Sequence, residues 1–204
     1  ALWTSTAMME AMRAARRGAL PDDITGISID SRTVTPGEAY FAIKGDVHDG
    51  HDFVEAALNN GASLAVVAKG HADKFPADAR LLIVDDVLAG LVDLAKASRA
   101  RLGAKVIAVT GSVGKTSTKE ALFECLERIA PGRAHRSVKS YNNHTGVPLS
   151  LARMPRDAKF GVFEMGMNHA GELLALTHMV RPHIALVTTI APAHTEFFAS
   201  EEAI

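Results

Sequence analysis

The sequence predicts an α/β protein: a small α+β N-terminal domain, then a parallel-sheet domain built around a phosphate-binding loop (P-loop) and incomplete at its C-terminal end. Three observations carry this expectation. The composition is aliphatic, with 48% hydrophobic residues but only 5% aromatic ones, which suits parallel strands covered on both faces. Residues 109–117 place a glycine turn and Gly-Lys-Thr between an apolar run and an amphipathic stretch, the setting of a phosphate loop. From residue 105 onward, strand-like and helix-like segments alternate, the rhythm of a parallel sheet with crossover helices.

Taken in order, Met8, Met9, Met12 and Ala15 fall on one helical face after Thr4, and Gly18 and Pro21 end that segment. Strands are expected over residues 26–29, 39–43, 64–68 and 81–84, interrupted by one helix, 52–60, that Gly61 stops. Leu88, Leu91, Val92, Ala95, Ser98 and Leu102 recur at helical spacing, so residues 87–102 form an amphipathic helix ending at Gly103. A strand at 106–109 leads through the glycine turn into a helix over 115–129, with Ala121, Leu122, Cys125, Leu126 and Ile129 on one face. Further strands are expected at 160–164 and 184–189, with helices between them, and residues 201–204 read as the start of another helix. This gives an N-terminal domain over 1–85, a connecting helix over 86–104, and a partial P-loop domain over 105–204.

Charge and cysteine usage narrow the function. With 22 basic and 23 acidic side chains the formal net charge is -1, which provides no field to gather a polyanion and argues against a nucleic-acid partner. The single cysteine, Cys125, excludes an internal disulfide framework and a multi-cysteine zinc site, and is expected to be a small buried apolar side chain. No apolar run approaches the ~20 residues needed to span a bilayer, and no secretory signal opens the chain, so a cytoplasmic protein without membrane insertion is expected. The chain starts without methionine and stops in helix-like sequence, as a fragment of a longer protein does.

In the loop Thr110-Gly111-Ser112-Val113-Gly114-Lys115-Thr116-Ser117, glycines let successive backbone amides turn toward phosphate oxygens. Lys115 neutralises the terminal phosphates and Thr116 offers its hydroxyl to Mg²⁺. Val109 stands where the general pattern has its first glycine. The bland alternative is a glycine turn ahead of an ordinary helix. A GTPase switch is disfavoured, because no guanine-reading Asn-Lys-x-Asp sequence is present.

This shortened loop resembles that of the Mur ligases and of their relative folylpolyglutamate synthetase. Tyr141-Asn142-Asn143-His144-Thr145-Gly146-Val147-Pro148-Leu149 and the stretch from Phe163 through Glu172 are similar to Mur ligase segments too, in the branch that joins D-alanyl-D-alanine to UDP-N-acetylmuramoyl-tripeptide. The branch that adds the preceding amino acid is the competing reading. The resemblance implies an ATP-dependent amide ligase of peptidoglycan precursor synthesis, with ATP and Mg²⁺ as cofactors, working through an acyl phosphate, and a monomer.

It also implies roles for particular residues. Glu164 closes an apolar strand, where ligands gather beyond the carboxyl ends of parallel strands; by itself it could equally be a strand-end glutamate paired with an arginine. The family resemblance makes it a magnesium ligand alongside Thr116, and implies that His194, otherwise an ordinary loop histidine, helps hold a second magnesium ion. Lys115, Glu164 and His194 are then the catalytic set. Ser31 and Arg32, and Lys44 and Gly45, resemble the family's UDP-binding segments; Asp49, Gly50 and His51 either join them or only shape the loop. Asn142 and Asn143 suit a sugar or peptide group by donating and accepting at once, or serve a turn. In the family a carbamylated lysine, further ATP-binding residues and the amine-receiving domain follow the stretch corresponding to this one, so residues 1–204 alone are expected to be inactive.

Overall fold

After a short strand, β1 (Trp3–Thr4), the Thr4 hydroxyl accepts the Ala7 amide and starts α1 (Ser5–Met12). The helix is shorter than its apolar spacing suggests. Arg13 adopts a left-handed conformation (φ 53°) that ends it, and Ala15 belongs instead to β2 (Ala15–Arg17). Next come β3 (Asp23–Ile24), antiparallel to β1, then β4 (Gly26–Ser28) and β5 (Glu38–Phe41). The computed structural model describes every residue except Ser140 and His194, and its contacts separate two units, Ala1–Leu94 and Ala95–Ile204.

In the first unit, α2 (Val54–Asn59) precedes β6 (Leu64–Ala68) and β7 (Leu81–Val84). The sheet order is β2-β7-β6-β5-β4. Strands β4 through β7 pair in parallel and β2 runs antiparallel along the β7 edge. Ala15 opposes Ile83 there, so ladder hydrogen bonds claim residues whose local spacing was helical. Tyr40, Ala42, Val54, Ala57, Val67 and Leu81 pack into a buried cluster on one side of this sheet. The expected helix at 52–60 divides into a 3₁₀ turn, Gly50–Phe53, and α2.

The division between units falls inside α3 (Val87–Ala100). Beyond it, β8 (Lys105–Thr110), α4 (Lys115–Ile129), β9 (Ala134–Arg136), α5 (Gly146–Ala152), β10 (Phe160–Glu164), α6 (Glu172–Val180) and β11 (Ile184–Val187) complete the second unit. Its four strands form a wholly parallel sheet in the order β11-β8-β10-β9. The register sets Glu164 beside Val109 and Val187 beside Thr110, so the ends of β10 and β11 flank the exit of β8. The buried Arg99 guanidinium donates to the carbonyls of Val180 and Arg181 at 2.7 and 2.8 Å, satisfying the C-terminal end of α6. The last residues form a 3₁₀ turn, Glu201–Ala203. Among the described residues, no helix is long and apolar enough to cross a membrane.

Two expectations about α4 are corrected. Cys125 is exposed rather than buried, and Ile129 is 72% exposed. Leu122 and Leu126 instead pack on Ile107, Val109 and Val162, and the one fully buried side chain of the helix is Lys119. The inward stripe therefore runs Lys115, Lys119, Leu122, Leu126, at helical spacing but rotated from the apolar one. Hydrophobic periodicity assigns lysines to solvent; here the N-terminal half of the stripe faces a polar site.

Phe163→Ala, at a fully buried position, should destabilise the second unit by about 3–5 kcal/mol in urea denaturation, while Cys125→Ser should stay within about 0.5 kcal/mol. The native Cys125 thiol should react fully with a thiol reagent without denaturant. Burial pushes His135 down from 6.5 to about 4, partly opposed by its 2.7 Å bond to the Ser150 carbonyl. The neutral ring thus favours the fold, and that stability should fall as pH drops from 6.5 toward 4. Urea midpoints against pH, with His135→Gln flattening the slope, check this.

Candidate functional site

At the exit of β8 the chain must reverse into α4 within four residues. Gly111 (φ 134°) and Gly114 (φ 87°) take backbone conformations that side chains disfavour. Neighbouring residues hold the turn from outside. Thr188 Oγ1 donates to the Val113 carbonyl at 2.6 Å, and its amide donates to the Thr110 carbonyl at 2.9 Å. The Ser112 amide donates to Thr189 O at 2.8 Å, and its hydroxyl both gives a bond to and takes one from the Ala191 backbone, each 3.1 Å. Lys115 is half-buried, and its ammonium donates to the Gly111 carbonyl at 2.6 Å, turned into the loop it follows. A cavity of about 160 Å³ opens there, lined by Thr110, Gly111, Ser112, Lys115, Leu173 and Thr189 among others. Val113 points outward, 66% exposed, and Thr116 and Ser117 occupy the first exposed turn of α4.

Beside this turn lies a buried carboxylate. Glu164 is 1% exposed; Thr116 Oγ1 donates to its Oε1 at 2.7 Å and Asn142 Nδ2 to its Oε2 at 2.6 Å. The Lys119 ammonium stands 3.9 Å from Oε1, and the Glu164 amide donates to the buried Ser137 hydroxyl at 3.0 Å. Gly166 permits the approach of Asn142, whose amide group would lie 2.8–3.1 Å from any Cβ there. The two neighbouring asparagines are used differently. Asn143 Oδ1 accepts the amides of Thr145 and Gly146 at 3.2 and 2.8 Å, at the start of α5. His194 lies outside the described residues. Sequence reading missed Lys119, Ser137 and Thr188; the one available signal was that Lys119 follows Lys115 by a single helical turn.

In the first unit the polar loops sort into inward and outward groups. Arg32 extends into solvent, its side chain 86% exposed, and holds Asp30 through two bonds of 2.9 and 2.8 Å. The Arg32 hydrogen bonds keep the Asp30 carboxyl below its ordinary range. Ser31 is buried, its carbonyl accepting Asn60 Nδ2 at 2.9 Å, while Lys44 and Gly45 are exposed. Asp49, Gly50 and His51 bond one another and the sheet. Asp49 Oδ1 accepts the His51 amide at 3.0 Å and its Nδ1 proton at 2.7 Å, and the Gly50 carbonyl accepts the Tyr40 hydroxyl at 2.8 Å. Burial pushes the Asp49 carboxyl up, but the His51 hydrogen bonds outweigh it and hold it low.

Asp49, His51 and His71 place ligand atoms within 4.8 Å of one another, a spacing a metal ion could use. The hydrogen bonds argue otherwise. His51 Nε2 accepts the Ala68 amide at 2.9 Å, so its one lone pair is occupied and its proton sits on Nδ1, directed at Asp49. His71 instead stacks on His51 with centroids 3.8 Å apart. This is a satisfied structural histidine that ties the loop to β6.

Two adjoining family models match the chain: Mur ligase family, catalytic domain, over residues 23–99, and Mur ligase middle domain, over residues 109–204. The UDP-N-acetylmuramoyl-tripeptide--D-alanyl-D-alanine ligases of Bacillus subtilis and Escherichia coli are 36% and 37% identical to it, over 89% and 87% of this chain. It spans only 39% and 38% of their lengths. A crystal structure of MurF from Acinetobacter baumannii superposes with a TM-score of 0.83 at 32% identity, covering 98% of this chain and 44% of that one. MurF ligase from Thermotoga maritima in complex with ADP gives 0.72 at 30% identity, over 87% and 40% of the two chains.

Gly111→Ala should collapse the loop, since the new Cβ would lie 2.1 Å from Thr188 Oγ1 at a φ of 134°. The same change at Gly103, where no atom lies within 4 Å, should leave thermal unfolding unchanged. Melting curves of the two variants provide the comparison.

Proposed function

Because this chain belongs to the Mur ligase family, we propose that it supplies the nucleotide-sugar-binding and phosphate-binding parts of a UDP-N-acetylmuramoyl-tripeptide:D-alanyl-D-alanine ligase. The observation that carries this reading is the 2.7 Å bond from Thr116 to Glu164. It joins the hydroxyl after the loop lysine to the strand-end carboxylate, the pair that a nucleoside triphosphate and its cation require. ATP is the phosphoryl donor. The terminal carboxylate of the UDP-linked tripeptide attacks the γ-phosphorus and the bond to ADP breaks, leaving an acyl phosphate. The amine of D-alanyl-D-alanine then attacks the acyl carbon, loses a proton and releases inorganic phosphate.

Lys115 and the loop amides stabilise the negative charge that develops on the transferred phosphoryl oxygens, where most of the rate enhancement of such reactions arises. His194 is assigned by family resemblance to a second magnesium ion, while Thr116 and Glu164 offer a hydroxyl and a carboxylate side by side, a hard-oxygen donor set that fits Mg²⁺. When bound, that ion neutralises phosphate charge and orients the leaving group. Asn142 keeps the Glu164 carboxylate turned toward Thr116 and can present its remaining polar atoms to substrate. In the first unit, Arg32, Lys44 and Gly45 face outward and are assigned to the UDP-sugar, with Ser31 on the same loop. Asp49, Gly50 and His51 shape the second loop from within. Soluble nucleotide-linked substrates are consistent with a cytoplasmic monomer.

In the complete ligase, Lys115→Ala should lower kcat at least a thousandfold with an unchanged circular dichroism spectrum. Phosphate release should depend on both the UDP-tripeptide and D-alanyl-D-alanine. Retained turnover in the variant, or dependence on a free amino acid in place of the dipeptide, would overturn the reading.

A further inference from the structure

A lysine ammonium with no exposed surface is costly unless charge and hydrogen bonds compensate it. Lys119 is 0% exposed on α4, one turn beyond Lys115. Its Nζ donates to the Lys139 carbonyl at 2.5 Å, and carboxylate oxygens stand at 3.3 Å (Glu120 Oε1) and 3.9 Å (Glu164 Oε1). Lys139 takes a left-handed conformation (φ 51°), rare for a residue other than glycine. The same backbone segment supplies Ser137, whose buried hydroxyl accepts the Glu164 amide, and Asn142, which binds Glu164 Oε2.

We infer that Lys119 is a positioning residue for the Glu164 carboxylate. Its ammonium binds the Lys139 carbonyl and attracts Oε1 from the protein side, so that Oε1 stays beside Thr116. The carboxylate is thereby fixed by Thr116 and Lys119 at one oxygen and by Asn142 at the other. Glu120, which also binds Arg136 at 3.1 Å, keeps the ammonium from settling fully on Glu164, whose contact is the longer one. This inference rests on the reading of Glu164 as a ligand of the nucleotide-bound cation.

The test uses the complete ligase with Mn²⁺ as a paramagnetic probe and ADP as the nucleotide, reading bound Mn²⁺ by electron paramagnetic resonance. Lys119→Met removes the charge and the donor; Lys119→Gln removes the charge but keeps a donor for the Lys139 carbonyl, and carries the test if the methionine variant fails to fold. Both should weaken Mn²⁺ binding in the presence of ADP at least tenfold, with metal-free ADP affinity and the circular dichroism spectrum unchanged in the glutamine variant. Under turnover, the metal requirement should rise more than the KM for the UDP-tripeptide. Mn²⁺ affinity within twofold of the parent, or a rise as expected if Lys119 merely repelled the cation, overturns the inference. Glu164→Gln separates the two readings. If it too leaves Mn²⁺ binding intact, the assignment of Glu164 fails; if it alone abolishes binding, only the role of Lys119 does.

Discussion

A carboxylate closed off from water at the end of a strand has to be surrounded by donors, because an uncompensated buried charge costs several kcal/mol. Glu164 imposes that requirement on two separate stretches of chain. Thr116 answers it from the first turn of α4, Lys119 from the buried face of the same helix, and Asn142 from the segment after β9, where the Ser137 hydroxyl accepts the Glu164 backbone amide. The parallel register of β10 on β8 makes this possible by setting Glu164 level with Val109, just before the glycine turn. The turn, the helix that follows it and the asparagine loop therefore share one arrangement, with the Thr116–Glu164 oxygen pair at its centre.

The glycine turn depends on a second set of constraints from the segment that follows β11. Thr188, Thr189 and Ala191 engage Thr110, Ser112 and Val113 by backbone and hydroxyl bonds. These bonds orient the curl of the loop around Lys115. The Ser112 amide is committed to Thr189 in this arrangement, so anion contact along the turn falls to the remaining groups.

The first unit shows the same separation of polar roles in a milder form. His51 is saturated at both ring nitrogens, by Asp49 on one side and the Ala68 amide on the other. A polar triad that could pass for a ligand set is instead an internal brace. Arg32 and Lys44, from neighbouring loops, stay in solvent, Arg32 paired with Asp30. Inward hydrogen bonds give these loops their shape and leave the cations outside.

Local patterns sufficed for the strands at 64–68 and 81–84, the helix after the glycine turn, and the placement of Lys115, Thr116 and Glu164 at element ends, because each rests on residues close together in the chain. The same patterns overran α1, where Ala15 joined a sheet edge, and misread α4, where Cys125 lies exposed and Lys119 buried. The turn role of Asn143 and the loop-shaping role of His51 were open alternatives in the sequence, but the pairing of Asn142 with Glu164 and the bond from Ala68 to His51 had no local signature. Each of these joins groups through loops whose course only the fold settles. Amino-acid order alone determined which groups stand at the ends of strands and helices, since that follows from periodicity and turn chemistry. The tertiary structure decided which of them meet and which are shut away from water, since burial of a charge depends on packing by segments distant in sequence.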